Sequence, residues 1–330
     1  MTTLIHSLKQ AVPVDLKQLY WTSKDKLAVA QLKASEVSRH TFIEDIRNAL
    51  AERRGFAAGK IGVTASARMY YDIFLSKRRS PEELADYEEK LRFSGLKQEG
   101  LFPGTTAFLR DFNVSYIQHV RNLDSFGVCH DTSAGRLLKI IKHYGFTSKF
   151  IHYPLQEVDR SMPSNEANCY LPLFRNKRVL IVCPFAGYLR ERATKETYER
   201  VWSKIGKPWF YPASVDAIEF PYGFARSTHE RYATVLDLLN DIQTEISRRE
   251  FDVALVGAAG LAIPLVSYMK GLGKVAIDLG GALQFMFGVS GKRWQNWDDL
   301  KQNIFNEHWT HLPVKYRPQE DDVCDNGAYW

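Results

Sequence analysis

Cysteine is scarce in this chain: Cys129, Cys169, Cys183 and Cys324 are the only four, they stand far apart, and no two form a CxxC pair. That argues against a zinc ribbon and a disulfide framework, and leaves buried reduced thiols as the plain reading. Long apolar runs are missing as well. The longest, such as Val179–Phe185 and Val253–Gly260, have strand length, far short of the roughly 20 residues a helix needs to cross a bilayer. Lys9, Asp15 and Lys17 interrupt the apolar residues near the N-terminus and no small-residue cleavage site follows, so no secretory signal is read and a cytoplasmic location is expected. Internal repeats and low-complexity tracts are also lacking.

What is present describes a globular chain. Its 330 residues, 45% apolar and 25% charged, can bury a large core in one large domain or two smaller ones. The net charge of +6 is lopsided: residues 1–150 hold 23 basic and 16 acidic side chains, whereas residues 151–330 hold 21 and 22. The basic first half could meet an anionic partner, though an ordinary solvated surface is equally consistent with it.

Spacing predicts helices and strands in a regular order. Val37, Phe42, Ile43, Ile46 and Leu50 mark a helix over residues 35–54, stopped at Gly55. Residues 56–63 read as a strand that turns at 62–64 into a helix over 64–75. Ser80-Pro81-Glu82-Glu83 caps a solvated helix over 80–93, residues 100–108 read as a loop, and further helices are predicted over 108–123 and 135–144. Turn-rich residues 161–168 suggest a domain boundary. The second half alternates: strand 178–183, helix 188–205, an extended piece at 217–220, helix 228–249, strand 252–256, helix 261–270, strand 274–278, then a glycine-bearing loop over 280–291. That rhythm predicts βαβ units and a mainly parallel sheet, hence an α/β fold of two Rossmann-like halves divided at residues 165/166. The acidic tail over 318–325 reads as a strap, and Tyr329-Trp330 behind it could dock on the body.

The candidate chemistry sits where strands run into glycine. Asp252-Val-Ala-Leu-Val-Gly257-Ala258-Ala-Gly260 passes from strand to helix through a turn whose N–H groups could hold an anion; a purely steric turn is the alternative. The stretch lacks the third glycine of a dinucleotide fingerprint and the GK[ST] of a P-loop. The next unit ends in Gly280-Gly281-Ala-Leu-Gln284, and its loop continues to Gly291-Lys292-Arg293-Trp294. In open parallel sheets such loops face one crevice. Two cations and an indole there could neutralise a diphosphate and stack on a base or sugar, or else be two solvated cations and a core tryptophan. For a general base the candidates are His130 and Asp131 in the run Cys129-His130-Asp131-Thr132-Ser133, and Glu307 beside His308. Asp131 could equally be a helix cap, and either histidine an ordinary surface or core residue.

Several of these blocks resemble one family. Pro184-Phe185-Ala186, the GGALQ…FG…GKRW block at 280–294, Asn306-Glu307-His308-Trp309 and the closing Gly327-Ala328-Tyr329-Trp330 look like a bacterial and phage family found with polysaccharide-biosynthesis proteins and similar to GT-D-type glycosyltransferases. Its members read HPFAE, HLGGA-Q-LFGIKGKRW, NE-W and CYW. The match spans roughly residues 56–104 and 175–330. It implies a nucleotide-sugar site, with a UDP-sugar foremost, built from Lys60, Gly62, Thr64, Pro184, Phe185, Gly257, Ala258, Gly260, Gly280, Gly281, Gln284, Lys292, Arg293 and Trp294. It also implies a Mn²⁺ or Mg²⁺ site on an early Asp-x-Glu pair, but Val63 and Ala65 stand there; Cys183 and Gly187 likewise replace the family's His and Glu.

A glycosyltransferase is therefore the expectation, with residues 166–330 holding the donor and basic residues 1–165 the acceptor. That acceptor is a glycan or another hydroxyl compound, or a hydroxymethylated DNA base supported by aromatics such as Tyr70, Tyr71, Phe74 and Tyr116, though a helical aromatic stripe also fits a core. A binding protein that has lost the metal carboxylates is the other expectation. A nicotinamide-dependent enzyme ranks below both, lacking the glycine fingerprint and a placed ribose-binding acid.

Overall fold

The computed structural model describes residues 26–77, 80–128, 133–152, 169–295, 297–318 and 327–330. Seven parallel strands form one sheet: β1 (Phe56–Lys60), β2 (Ser125–Val128), β3 (Lys149–His152), β4 (Arg178–Val182), β5 (Ser214–Ile218), β6 (Val253–Val256) and β7 (Val275–Asp278), in the order β3-β2-β1-β7-β6-β4-β5. An α/β fold with a mainly parallel sheet is thus present, consistent with a Rossmann-like architecture. The two expected halves do not have separate sheets. Ala58 of β1 lies opposite Ile277 of β7, so strands from both sides of residue 165 hydrogen-bond at the sheet's centre; the boundary itself falls outside the described residues.

Both faces of the sheet are covered, as all-parallel strands require. Alternate residues feed two cores. Ala57, Phe126, Val182, Ala254 and Ala276 face one with the helices Val63–Tyr70, Thr106–Arg121, Ala134–Tyr144, Val235–Ser247 and Ala262–Gly271. Phe56, Ile181, Leu255 and Ile277 face the other with the helix Arg39–Ala51, the short helices after β4 and the aromatic C-terminal region.

Several boundaries move for local reasons. The helix expected over 35–54 begins at Arg39, capped by Ser38, and stops at Ala51, with Glu52 as its C-cap, before Gly55 is reached. The charged helix runs on to Glu99, held at its start by a full capping box between Ser80 and Glu83 and ended by Gly100 in the left-handed region. The expected helix over 188–205 is three pieces, Ala186–Arg192, Lys195–Val201 and Ser203–Ile205, broken where Thr194 caps the second. That over 228–249 is two, because Thr234 and Asp237 form a capping box that restarts the chain at Val235. β2 and β3 have no counterpart among the predicted strands: each is four residues long and lies between helices.

Candidate functional site

The sheet order determines where the site opens. From β4 the chain moves outward to β5, with its helix on one face; from β6 it moves inward to β7, with the helix Ala262–Gly271 on the other. Loops that diverge in this way leave a crevice beyond the carboxyl ends of the strands. A cleft of about 230 Å³ lies there, lined by residues that follow β1, β4, β5, β6 and β7 and by the end of the helix Pro81–Glu99.

On the β1 side the lining begins with Lys60 and continues into the first turn of the helix Val63–Tyr70. Gly62 is its N-cap and offers no side chain to the first-turn N–H groups, so the partial positive charge of the helix start faces the cleft. Thr64 Oγ1 donates to Gln98 Oε1 at 2.6 Å. Arg136, on the helix Ala134–Tyr144, ties that helix to this one through Ser66 Oγ at 2.9 Å and the Val63 carbonyl at 3.1 Å.

The glycine loops close the opposite side. A Cβ on Gly257 would lie 3.0 Å from the Gly280 carbonyl oxygen, and one on Gly281 would lie 2.8 Å from the Tyr329 ring and 3.2 Å from Arg293 Nη1. Glycine there lets Arg293 stack its guanidinium 4.8 Å over Tyr329 at the cleft wall. The expected strap lies outside the described residues from 319 to 326, and the closing residues dock on the body: Gln284 Nε2 donates to the Tyr329 carbonyl at 3.0 Å, the Arg293 N–H donates to that of Ala328 at 3.2 Å, and Trp330 is buried against Tyr222.

Two carboxylates line the cleft among the described residues, Glu99 and Asp278. Glu99 is neutralised: Arg68, itself buried, donates to both of its oxygens at 3.2 Å and lies over the Phe112 and Tyr116 rings. Arg68 also bonds Asn113, which bonds Asp72. Burial, only partly offset by Asn113, Arg110 and Arg68, raises the pKa of Asp72. Asp278 is the last residue of β7 and accepts from the Gly280 N–H at 2.9 Å. Burial pushes its carboxyl up to about 6, against the lowering pull of Lys60 and two backbone N–H groups. Burial also pushes the Tyr116 hydroxyl well above its ordinary range, with the Glu99 charge adding to the effect, so it stays protonated.

Of the residues singled out from sequence, Lys60, Gly62, Thr64, Pro184, Phe185, Gly257, Ala258, Gly280, Gly281 and Arg293 meet in this cleft. Others do not line it. Gly260 is a packing glycine, since a Cβ would lie 2.8 Å from the Glu99 carbonyl oxygen. Gln284 is fully buried and holds the C-terminal segment, and Trp294 packs against Phe285 in the core. Lys292 is exposed outside the lining. Glu307 is 82% exposed and pairs with His308 at 3.4 Å, away from the cleft. His130 and Asp131 lie outside the described residues. The aromatics expected on a basic surface are largely core: Tyr71 and Tyr116 are buried, Tyr116 also bordering the cleft, while Tyr70 and Phe74 are partly buried with their ring centres 4.9 Å apart. Both cleft carboxylates and the aromatic loop 220–224 escaped sequence reading. Asp278, a strand's final residue directly ahead of the Leu279-Gly280-Gly281 turn, carried the one available signal.

The divalent cation implied by the resemblance does not fit these side chains. Val63 and Ala65 occupy the lining where its carboxylates would stand, both Glu99 oxygens are taken by Arg68, and no group of three or more His, Cys, Asp or Glu is gathered among the described residues. No helix among the described residues is long and apolar enough to cross a membrane. Comparisons with protein-family models, with curated proteins and with solved structures found no match.

Proposed function

We propose that this protein transfers a glycosyl group from a nucleotide-diphosphate donor, a UDP-sugar foremost, to a hydroxyl acceptor. The observation that carries this reading is the convergence of five strand ends on one cleft, with Lys60 and Arg293 offering positive charge beside an aromatic wall of Phe185, Phe220, Tyr222, Phe224 and Tyr329. The cations and the helix start at Gly62 suit a diphosphate, whose negative charge grows as it leaves. The aromatic rings suit the flat face of a base or sugar. Tyr71 is buried outside the cleft lining and gives no support to a flipped DNA base, which favours a glycan or another hydroxyl compound as acceptor. Val63 and Ala65 in the cleft lining also keep a second reading in play, a nucleotide-sugar-binding protein without catalysis.

A thermal-shift panel of UDP, GDP, CMP, ADP and NAD, each with and without Mn²⁺, tests the site, because a ligand bound by the folded state alone raises the melting temperature. One nucleotide diphosphate should stabilise the protein, equally well with and without Mn²⁺. No shift with any of them would sink the donor site. Binding without turnover of the matching nucleotide sugar would select the binding protein.

A further inference from the structure

We propose that Asp278 is the catalytic base of this site, the group that takes the proton from the acceptor hydroxyl; the inference rests on the glycosyl-transfer reading above. Of the two cleft carboxylates, Glu99 has each oxygen engaged by the buried Arg68 guanidinium, so both oxygens are already committed to a cation. Asp278 is held more loosely. Its partners are the backbone N–H groups of Gly280 and Lys60, and a carboxylate offers about four acceptor positions, so room remains for the hydrogen of an acceptor hydroxyl.

Its placement is that of a reacting group. Asp278 ends a central strand, and the β1–β7 register, Ala58 opposite Ile277, brings Lys60 to the adjacent strand end. The charged and titratable groups facing it are Lys60 from β1 and Tyr116 from the helix Thr106–Arg121, with Glu99 and Arg68 beyond Tyr116. Lys60 therefore lies where it can attract the departing diphosphate while Asp278 accepts a proton. A carboxyl group pushed by burial to about 6 is ionised at neutral pH yet more basic than an exposed one, which is the condition for efficient general-base catalysis.

The step balances without any further reagent. The proton of the acceptor O–H passes to the Asp278 carboxylate as the acceptor oxygen bonds to the anomeric carbon. The bond from that carbon to the diphosphate oxygen breaks, and its electron pair leaves with the nucleotide diphosphate. Asp278 then returns the proton to solvent.

The test uses the full chain with UDP-, GDP- and ADP-glucose as probes, water as acceptor, and release of nucleotide diphosphate as the signal. In the wild type, log kcat should climb with pH and level off above an apparent pKa near 6. Asp278→Asn should lower kcat by roughly 10²–10⁴-fold, abolish that acidic limb, and leave affinity for the released nucleotide diphosphate within about threefold by titration calorimetry. An Asn variant that turns over within about threefold of wild type with its acidic limb intact would overturn the assignment while sparing the transfer reading. A wild-type rate flat from pH 5 to 8 would do the same without recourse to any variant. If the wild type binds none of UDP, GDP and ADP and releases none from the probes, the transfer reading itself fails and the inference falls with it.

Discussion

Asp124 and Asp252 each stand just before a strand at the amino end of the sheet, whereas Asp278 closes a strand at the carboxyl end. The first two stitch neighbouring strands together. Asp124 accepts from the Ala57 N–H at 2.9 Å and from Lys270 at 2.9 Å; Asp252 accepts from the Arg178 N–H at 2.8 Å and its guanidinium at 3.0 Å. Burial works to raise the Asp252 carboxyl, but the hydrogen bonds and charge of Arg178, together with Lys274, outweigh it and hold the group below its ordinary value. At the carboxyl end the balance is reversed, and burial of Asp278 prevails over Lys60. One end of the sheet uses its charges for cohesion, and the other keeps a charge that works against cohesion. A carboxylate left burdened by burial at a cleft is the arrangement that the proposed transfer would use.

The largest expected effect comes from stripping the carboxyl end of its cations. Lys60→Ala combined with Arg293→Ala removes two charge-assisted contacts of about 1.5–3 kcal/mol each. Affinity for the nucleotide diphosphate should then fall by roughly 10²–10⁴-fold in titration calorimetry, with the fold retained by circular dichroism. Lys292→Ala, outside the lining, serves as the control and should bind as wild type does. Equal losses in both would mean that the charge is read from the surface rather than from the cleft.

Next in size is a stability test that separates the two ends by the sign of their pH dependence. Asp278 goes from an ordinary value of 3.8 unfolded to about 6 folded, so the folded state holds the proton more tightly. Its contribution to stability therefore declines as pH rises from about 4 to about 6 and stays low above that range. Asp278→Asn should stabilise the protein by up to about 3 kcal/mol at pH 8, and the gain should vanish at pH 4 in urea titrations. Asp252 has the opposite sign: its stabilising effect is present above 3.8 and is lost as pH falls through its lowered folded value. A uniform gain at all pH values for Asp278→Asn would mean that the carboxylate is not burdened by burial.

The smallest test compares two glycines. A Cβ on Gly55, at the amino end, would overlap the Lys270 backbone carbonyl, which cannot move freely. Gly55→Ala should cost about 1–3 kcal/mol of stability. A Cβ on Gly281 meets the Tyr329 and Arg293 side chains, which can swing aside, so Gly281→Ala should leave stability unchanged and weaken nucleotide affinity several-fold. Reversed outcomes would show that the Arg293–Tyr329 stack supports the fold rather than the ligand.

Sequence periodicity disclosed the strands with apolar continuity, β1, β4, β6 and β7, and the glycine turns after β1, β6 and β7. It could not disclose Ser125–Val128, where Ser125 and Gly127 interrupt the pattern, or that β1 would pair with a strand more than 200 residues away. Register is a tertiary property, and it is register that brings Lys60 beside Asp278. The base candidates chosen from sequence rested on residue type, with a loop setting for His130 and Asp131 and the NE-W pattern of the resembled family for Glu307. Glu307 is exposed, whereas Asp278 looked like an ordinary strand end until burial and its neighbours set it apart.

The pairing of β1 with β7 also orders events during synthesis. β1 exposes one edge until residues 275–277 have left the ribosome; at about 5–20 residues per second, the interval is roughly 10–40 s. Through that time an apolar strand, Phe-Ala-Ala-Gly-Lys, has an unsatisfied row of N–H and C=O groups open to any other nascent chain. That interval covers the middle of translation, and the protein's yield should depend on elongation speed and on chaperones that shield one small edge.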